Sequence, residues 1–314
     1  RNGRKQPRER NGRKQPQERN GRKLPKRRKA AEAAAKTKWQ QSCQENGRTG
    51  IVQDQMNQDT ILEALTSYWT DRAQSYSAQN IAEMNDWRRQ AWRELILSNA
   101  PKKECLRVLD IGTGPGFFAI NLALAGHNVT AVDVTEEMLA HAKENAKSYG
   151  AKVDFVLHRG EFLPFEDNSF DLIVSRNVVW NLEYPGQALS EWARVLAPGG
   201  RMVYFDANWY LYLYDENLCA QKKAAEKAFR AKYPVHNYAG NLPRSRILEL
   251  EQTAYSLPLS REKRPEWDRV VLEKLGMQIV TVIDDIGPGV QDPLDWERDH
   301  PIHTFMVCAE KPEA

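Results

Sequence analysis

The stretch VLDIGTGPGF, residues 108–117, decides how the chain folds. Four residues, apolar except for Asp110, run into a turn that holds Gly112, Gly114 and Gly116. A short apolar run that ends in glycines reads as a buried strand delivering the chain into a tight turn. Glycine suits such a turn because it reaches positive φ freely and lets the backbone approach a ligand. What the turn holds depends on the elements around it.

Those elements alternate. LRVLDI (106–111), NVTAVDV (128–134), VDFVLH (153–158), FDLIVS (170–175) and RMVYFD (201–206) read as strands, the more continuous runs suggesting burial on both faces. Between them lie AINLALAG, TEEMLAHAKENAKSYG and PGQALSEWARVLAPGG, with helical spacing. Thr135 is expected to cap its helix, Glu136 and Glu137 suit its positive end, and Gly150 can terminate it. Strand and helix in alternation imply a doubly wound parallel sheet. Upstream, TILEALTSYWTDRAQSY and NIAEMNDWRRQAWRELI read as two helices, with Ile81, Met84, Trp87, Ala91 and Leu95 on one face.

In such a sheet the ligand lies beyond the carboxyl ends of the strands, nearest the first strand-to-helix turn. A nicotinamide dinucleotide is one possible occupant, with its pyrophosphate at the helix start and glycines normally spaced G-x-G-x-x-G. Here the spacing is G-x-G-x-G, and Phe117 stands where the last dinucleotide glycine would be. Asp133, 21 residues beyond Gly112 at the end of the second strand, can accept ribose hydroxyls in either case. The turn alone leaves both ligands open.

Four segments in order, VLDIGTGPG, VDVTEEMLAHA, LPFEDNSFDLIVS and ALSEWARVLAPGG, closely resemble the class I S-adenosylmethionine-dependent methyltransferases, in particular the small-molecule branch related to quinone-biosynthesis enzymes. The resemblance is strong over roughly residues 68–206. It implies a mostly parallel seven-stranded Rossmann-like sheet with an N-terminal helical cap over 56–100 and GMQIVTVIDD and HTFMVCAEK as the antiparallel final strands. It implies Asp110, Gly112, Thr113, Gly114 and Gly116 around the methionine part of the cofactor, Asp133 on the ribose, and Val134 and Met138 against the adenine. Tyr68, Trp69 and Tyr76 resemble an aromatic cap, Tyr76 reaching the cofactor, and Arg176 joins the cofactor residues from the end of the fourth strand.

One position departs from the family. Gly-Asp-Ala-Glu commonly precedes Leu-Pro-Phe, its aspartate accepting from the adenine amine, whereas this chain has His158, Arg159, Gly160 and Glu161 before Phe162. Arginine cannot accept a hydrogen bond, so that contact is lost or moves to Glu161, with the Gly160 N–H still able to meet the ring.

The acceptor is expected in the additions to the minimal fold. About 58 residues, Ala207 to Arg264, follow the fifth strand and read as a lid, with a helix over ENLCAQKKAAEKAFRAKYP and a proline-punctuated stretch from Pro243 to Pro258. Asn177, Trp180, Asp206, Asn208, Trp209 and Tyr210 are the expected pocket residues. No catalytic base is assigned, because the sulfonium is already an electrophile and alignment of the acceptor is the main requirement. The six histidines have no metal-ligand spacing, and His236 reads as a surface residue.

The ends of the chain differ in charge. Residues 1–29 repeat RNGRKQPRE, RNGRKQPQE and RNGRKLPKRRK and carry +12, against −9 for the remainder. With Leu24 its sole large apolar residue, this arm is expected to be disordered and to contribute nothing to the chemistry. No methionine precedes Met56, and translation is expected to start there, which would leave residues 1–55 outside the native protein. Four scattered cysteines, Cys43, Cys105, Cys219 and Cys308, and the lack of a long apolar run point to a cytoplasmic protein without a membrane span, and a monomer or homodimer is expected. A rival is an RNA or protein methyltransferase that grips its substrate with the basic arm. SRNVVW (175–180) lacks both the Asn/Asp-Pro-Pro-aromatic clamp of base-amine enzymes and the Pro-Cys nucleophile of cytosine-carbon enzymes. A noncatalytic cofactor-binding protein is the third reading, separable by turnover.

Overall fold

A computed structural model describes residues 58–234 and 243–313. The basic arm and His236 lie outside the described residues. The strands are β1 (Arg107–Ile111), β2 (Asn128–Asp133), β3 (Val153–Leu157), β4 (Phe170–Arg176), β5 (Leu196–Ala207), β6 (Gln278–Ile283) and β7 (Thr304–Glu310). They form one seven-stranded sheet in the order β3-β2-β1-β4-β5-β7-β6. Strands β1 to β5 pair in parallel, and β7 runs antiparallel between β5 and β6. The order reverses beside β1, so the glycine turn opens at the topological switch point where such sheets bind ligands.

The continuous apolar runs are explained by cover on both faces. Val108, Leu172, Val174, Val203 and Phe205 pack on one side against Trp92, Ile96 and Phe118. Leu109, Ile111, Ile173 and Tyr204 pack on the other side against Leu189, Trp192 and Leu272. Strand β4 is buried along six of its seven residues, while the outer strands β3 and β6 are only partly covered.

Helices α1 (Gln58–Met84) and α2 (Arg88–Asn99) precede the sheet, α3 (Phe117–Ala123) and α4 (Glu136–Tyr149) follow β1 and β2, and α5 (Pro185–Val195) leads into β5. The single apolar face expected across the first two helices does not form. Met84 is buried, but Ile81 and Trp87 are 38% and 50% exposed, and the buried residues of α2 are Trp92 and Ile96. The cause is local: Asp86 Oδ1 accepts the Arg88 N–H at 2.8 Å, restarting the helix and shifting its phase after Asn85. Gly150 terminates α4 at φ 69°, as expected, whereas the Thr135 side chain makes no capping bond.

After β5 come α6 (Glu216–Lys232) and α7 (Arg244–Ser256), then α8 (Glu266–Lys274), α9 (Gly287–Val290) and α10 (Pro293–Asp299). Most of the proline-punctuated stretch is thus helical, with Pro243 and Pro258 flanking α7 where their missing N–H costs nothing. The base of this insertion is closed by a buried ion cluster. Arg264 donates to Asp206 at 2.6 Å and to Asp268 at 2.7 and 2.9 Å, and the Tyr204 hydroxyl donates to Asp268 at 2.7 Å. Arg264, Asp206 and Asp268 are essentially sealed from solvent, so each charge depends on the others for compensation.

Candidate active site

Asp110 organises the glycine turn. Its Oδ2 accepts the Thr113 hydroxyl at 2.6 Å and the Ala119 N–H at 3.0 Å, the latter an amide that the first turn of α3 leaves without a helical partner. Burial pushes the Asp110 carboxyl up to about 7, opposed by these two bonds and by Arg176. Gly112 has φ +65°, and a Cβ there would lie 2.2 Å from Val178 Cγ2, so no other residue fits without displacing that wall. Asp133 fixes the other side of the turn. Its Oδ2 accepts the Gly114 N–H at 2.8 Å, its Oδ1 accepts the Thr135 N–H at 2.9 Å, and burial raises its pKa.

A cavity runs along the carboxyl ends of β1 to β4. Asp110, Gly112, Thr113 and Gly114 line it from the turn; Asp133, Val134 and Met138 from beyond β2; Gly160 and Glu161 from beyond β3. Tyr76 and Arg176 also line it, the Tyr76 ring 3.4 Å from where a Cβ on Gly114 would lie. Gly116 does not line it, contrary to expectation. A Cβ there would meet Ile120 at 3.1 Å and Ala142 at 3.3 Å, so this glycine serves the close packing of α3 against α4.

The polar groups of this cavity decide between the two ligands that the glycine turn leaves open. The Gly114 and Ala119 amides, which a pyrophosphate at the start of α3 would need, are already bonded to carboxylates. The walls carry Asp110, Asp133, Glu161 and Glu183. Against them stand Arg159, which pairs with Glu161 and Glu183, and Arg176, whose guanidinium donates to Glu83 at 2.8 Å and lies 4.7–5.3 Å from the ring centres of Trp92, Phe117 and Phe118. With its turn amides taken by Asp133 and Asp110, such a site disfavours a pyrophosphate and suits a nucleoside whose other end is cationic. S-adenosylmethionine, with a sulfonium and an ammonium, fits that description. Glu83 and Glu183 were not legible in the sequence, for each acts through an arginine distant in the chain.

A second chamber adjoins the first. Tyr68, Trp180, Trp209, Tyr210 and Tyr212 wall a space of about 430 Å3, roofed by α6 and α7. It shares Trp69, Tyr76 and Asn177 with the first cavity, so the two meet at those residues. Asn177 sits at φ 59°, its N–H donating to the Phe205 carbonyl at 2.8 Å and its carbonyl accepting Trp180 Nε1 at 3.0 Å. Trp180 and Tyr210 pack at 5.1 Å between ring centres. The chamber acids lean on local donors: Lys222 pairs with Glu226, Arg298 with Asp299, and the Tyr212 hydroxyl with Glu251.

Two expected pocket residues are elsewhere. Asp206 is fully buried, its carboxylate taken by Arg264 and the Trp180 and Ala207 N–H groups. Asn208 grips the Arg264 backbone, accepting from its N–H at 3.1 Å and donating to its carbonyl at 2.7 Å. Both close the base of the insertion and do not line the chamber. Their position at a strand end was legible, but the partner that turns them away lies 58 and 56 residues on.

Comparison with known proteins points the same way. A methyltransferase-domain family matches residues 109–204. The malonyl-[acyl-carrier protein] O-methyltransferase of Erwinia pyrifoliae is 33% identical over 213 residues, 68% of this chain and 72% of that protein. The demethylmenaquinone methyltransferase of Thermus thermophilus is 38% identical over 122 residues, 38% of this chain and 53% of that protein. The ubiquinone/menaquinone biosynthesis C-methyltransferase of Bartonella tribocorum is 31% identical over 154 residues, 44% of this chain and 59% of that protein. The chain thus spans little more than half the length of these quinone relatives. With its sheet order, its carboxylate-lined glycine turn and these matches, the chain belongs to the class I S-adenosylmethionine-dependent methyltransferases.

Proposed function

We propose that the chain transfers the methyl group of S-adenosylmethionine to a small molecule held in the aromatic chamber. The observation that carries this reading is the junction, where Trp69, Tyr76 and Asn177 belong to both cavities. When bound, the cofactor supplies an electrophilic methyl on a sulfonium; the chain's part is to hold an acceptor atom in line with it and keep water out. In this reading Asp133 accepts the ribose hydroxyls, Val134 and Met138 flank the base, and Asp110 and Arg176 face the methionine end. Ring faces at Trp69 and Tyr76 favour a sulfonium beside them.

The junction residues are two aromatic rings and an amide, none an imidazole, amine or carboxylate. Burial raises the Tyr210 and Tyr212 phenols well above their ordinary value, so neither serves as a base near neutral pH. The carboxylates and the imidazole of the chamber, Glu226, Glu251, Asp299 and His300, lie outside the junction, so in this reading the acceptor atom arrives already nucleophilic, as a carboxylate, an ionised phenol or an enolate. Relatives are named for malonyl O-methylation and quinone C-methylation, which supports carrying the small-molecule class over.

We assign α1 and α2 as a cap, the insertion over about 207–264 as a lid, and no chemical role to residues 1–55. We further propose a cytoplasmic monomer or homodimer, a reading that the free thiols Cys105, Cys219 and Cys308 support for the compartment. The test is release of S-adenosylhomocysteine from full-length protein offered carboxylic acids, quinols and RNA in parallel. Release with an acid or quinol, unchanged in residues 56–314 alone, is the expected result. Release with RNA only, lost on deleting residues 1–29, overturns it in favour of the basic-arm reading.

A further inference from the structure

We propose that Glu161 accepts the hydrogen bond from the adenine amine of the cofactor, and that Arg159 holds it in position for that contact. This rests on the assignment of the first cavity to the cofactor. Glu161 lines that cavity together with Asp133, Val134 and Met138, on a loop that starts where the His158 N–H meets the Asp133 carbonyl at 2.9 Å, and its side chain is only 5% exposed. A carboxylate so buried calls for an opposite charge beside it. Arg159 supplies it, with its Nη2 3.5 Å from Glu161 Oε1.

The geometry separates the roles of the two carboxylates around this arginine. Glu183 Oε2 takes Arg159 Nη2 at 2.8 Å, a full charge-assisted bond, and so anchors the guanidinium. The contact to Glu161 is at the outer limit for a hydrogen bond: it supplies charge and leaves Glu161 most of its accepting capacity. The backbone between the two side chains is fixed as well. Trp192 Nε1 donates to the Gly160 carbonyl at 2.8 Å, and the Phe162 N–H reaches the Arg159 carbonyl at 3.4 Å. The arginine at position 159 cannot itself accept from an amine, yet its charge makes a carboxylate two residues later available to do so.

An ionised carboxylate is an acceptor only, so it distinguishes a base presenting an amine from one presenting a carbonyl at the same place. S-adenosylhomocysteine and S-inosylhomocysteine differ in that group, and calorimetric titration of both into the full chain reads the preference without any acceptor. The native chain is expected to prefer S-adenosylhomocysteine by at least about 100-fold, since the wrong base leaves a buried carboxylate facing a carbonyl. Glu161→Gln, whose amide can also donate, is expected to bring the two affinities within about fivefold. Glu161→Asp, which keeps the charge but withdraws the acceptor by one methylene, is expected to lower the preference at least about tenfold and serves if the glutamine variant does not fold.

Asp133→Ala is the control for the cavity itself and is expected to weaken both ligands in parallel, leaving their ratio intact. If Asp133→Ala weakens both ligands while the Glu161 variants keep the native ratio, the assignment to Glu161 is wrong and the cavity reading stands. Loss of the preference in Glu183→Gln but not in Glu161→Gln also overturns it. If Asp133→Ala changes neither affinity, the cavity reading fails and the proposal goes with it.

Discussion

The cavity assigned to the cofactor and the aromatic chamber meet at three residues but are built in opposite ways. The cofactor cavity is made of backbone: a turn with glycines at positive φ, and strand-end carboxylates that each spend bonds on main-chain amides. The chamber is made of side chains, rings from α1, from the 3-10 turn at Val179–Asn181 and from the insertion, gathered into a separate apolar cluster around Leu65, Trp180 and Leu257. Altering the first disturbs the sheet's own connections. The second can be re-lined while β1 to β7 stay as they are, which is how one fold serves many acceptors.

If that contrast is sound, the greatest loss of cofactor binding comes from touching the backbone. Gly112→Ala places a methyl 2.2 Å from Val178 in a left-handed conformation, and Val178 is β-branched and cannot swing clear. Binding of S-adenosylhomocysteine is expected to fall at least about 100-fold, with about 1–3 kcal/mol of stability lost in denaturant titration. Near-native affinity would show that the turn has slack and that backbone geometry does not set this half of the site. Asp133→Ala comes next. It removes the acceptor for the Gly114 and Thr135 amides as well as the contact proposed for the ribose, and an affinity loss of about 10- to 100-fold is expected by calorimetry.

The same contrast explains what the sequence discloses. Strands β1 to β5 are legible from a local signal, apolar runs ended by glycine or a polar cap, while β6 and β7 follow from the family resemblance. Many of the residues lining the first cavity are named by the resemblance, and most of these sit at or just beyond strand ends. Side-chain constructions are not legible in this way. The faces of α1 and α2 were misjudged because one bond from Asp86 resets the helical phase, and the stretch after Pro243 hid a helix behind its flanking prolines. Asp206 and Asn208 stand at the right strand end for a pocket but face Arg264, and Arg176 leans on a glutamate 93 residues upstream. No local pattern announces such partners.

Asp110→Asn is expected to act on stability, by an amount that depends on pH. Burial lifts this carboxyl to about 7 in the folded chain, against roughly 3.9 when unfolded. Between those values the folded state binds more protons, so its contribution to stability declines as pH rises from about 4 to about 7 and is level above. The full span is at most about 4 kcal/mol. Asparagine does not titrate but can still accept from Ala119, so the variant should gain stability relative to the native chain between pH 5 and pH 7.5. A stability difference that stays constant across that range, measured by urea unfolding, would mean that Asp110 is ionised throughout and that the turn tolerates its charge.

The smallest effect on the cofactor should come from the chamber. Trp180→Ala removes a ring packed against Tyr210 and bonded to the Asn177 carbonyl, but that ring does not line the cofactor cavity. Affinity for S-adenosylhomocysteine is therefore expected to stay within about threefold of native. Stability should fall by about 2–4 kcal/mol, because a large buried side chain leaves a hole. Once an acceptor is in hand, its KM should rise far more than kcat falls, as expected when uniform binding of the acceptor is lost. Asn177 is the route by which this separation can fail, since it belongs to both cavities and loses the donor on its carbonyl. A tenfold or greater loss of cofactor affinity in Trp180→Ala would show that the wall of the chamber also holds the positive-φ turn of the cofactor cavity, and that the two halves are one construction.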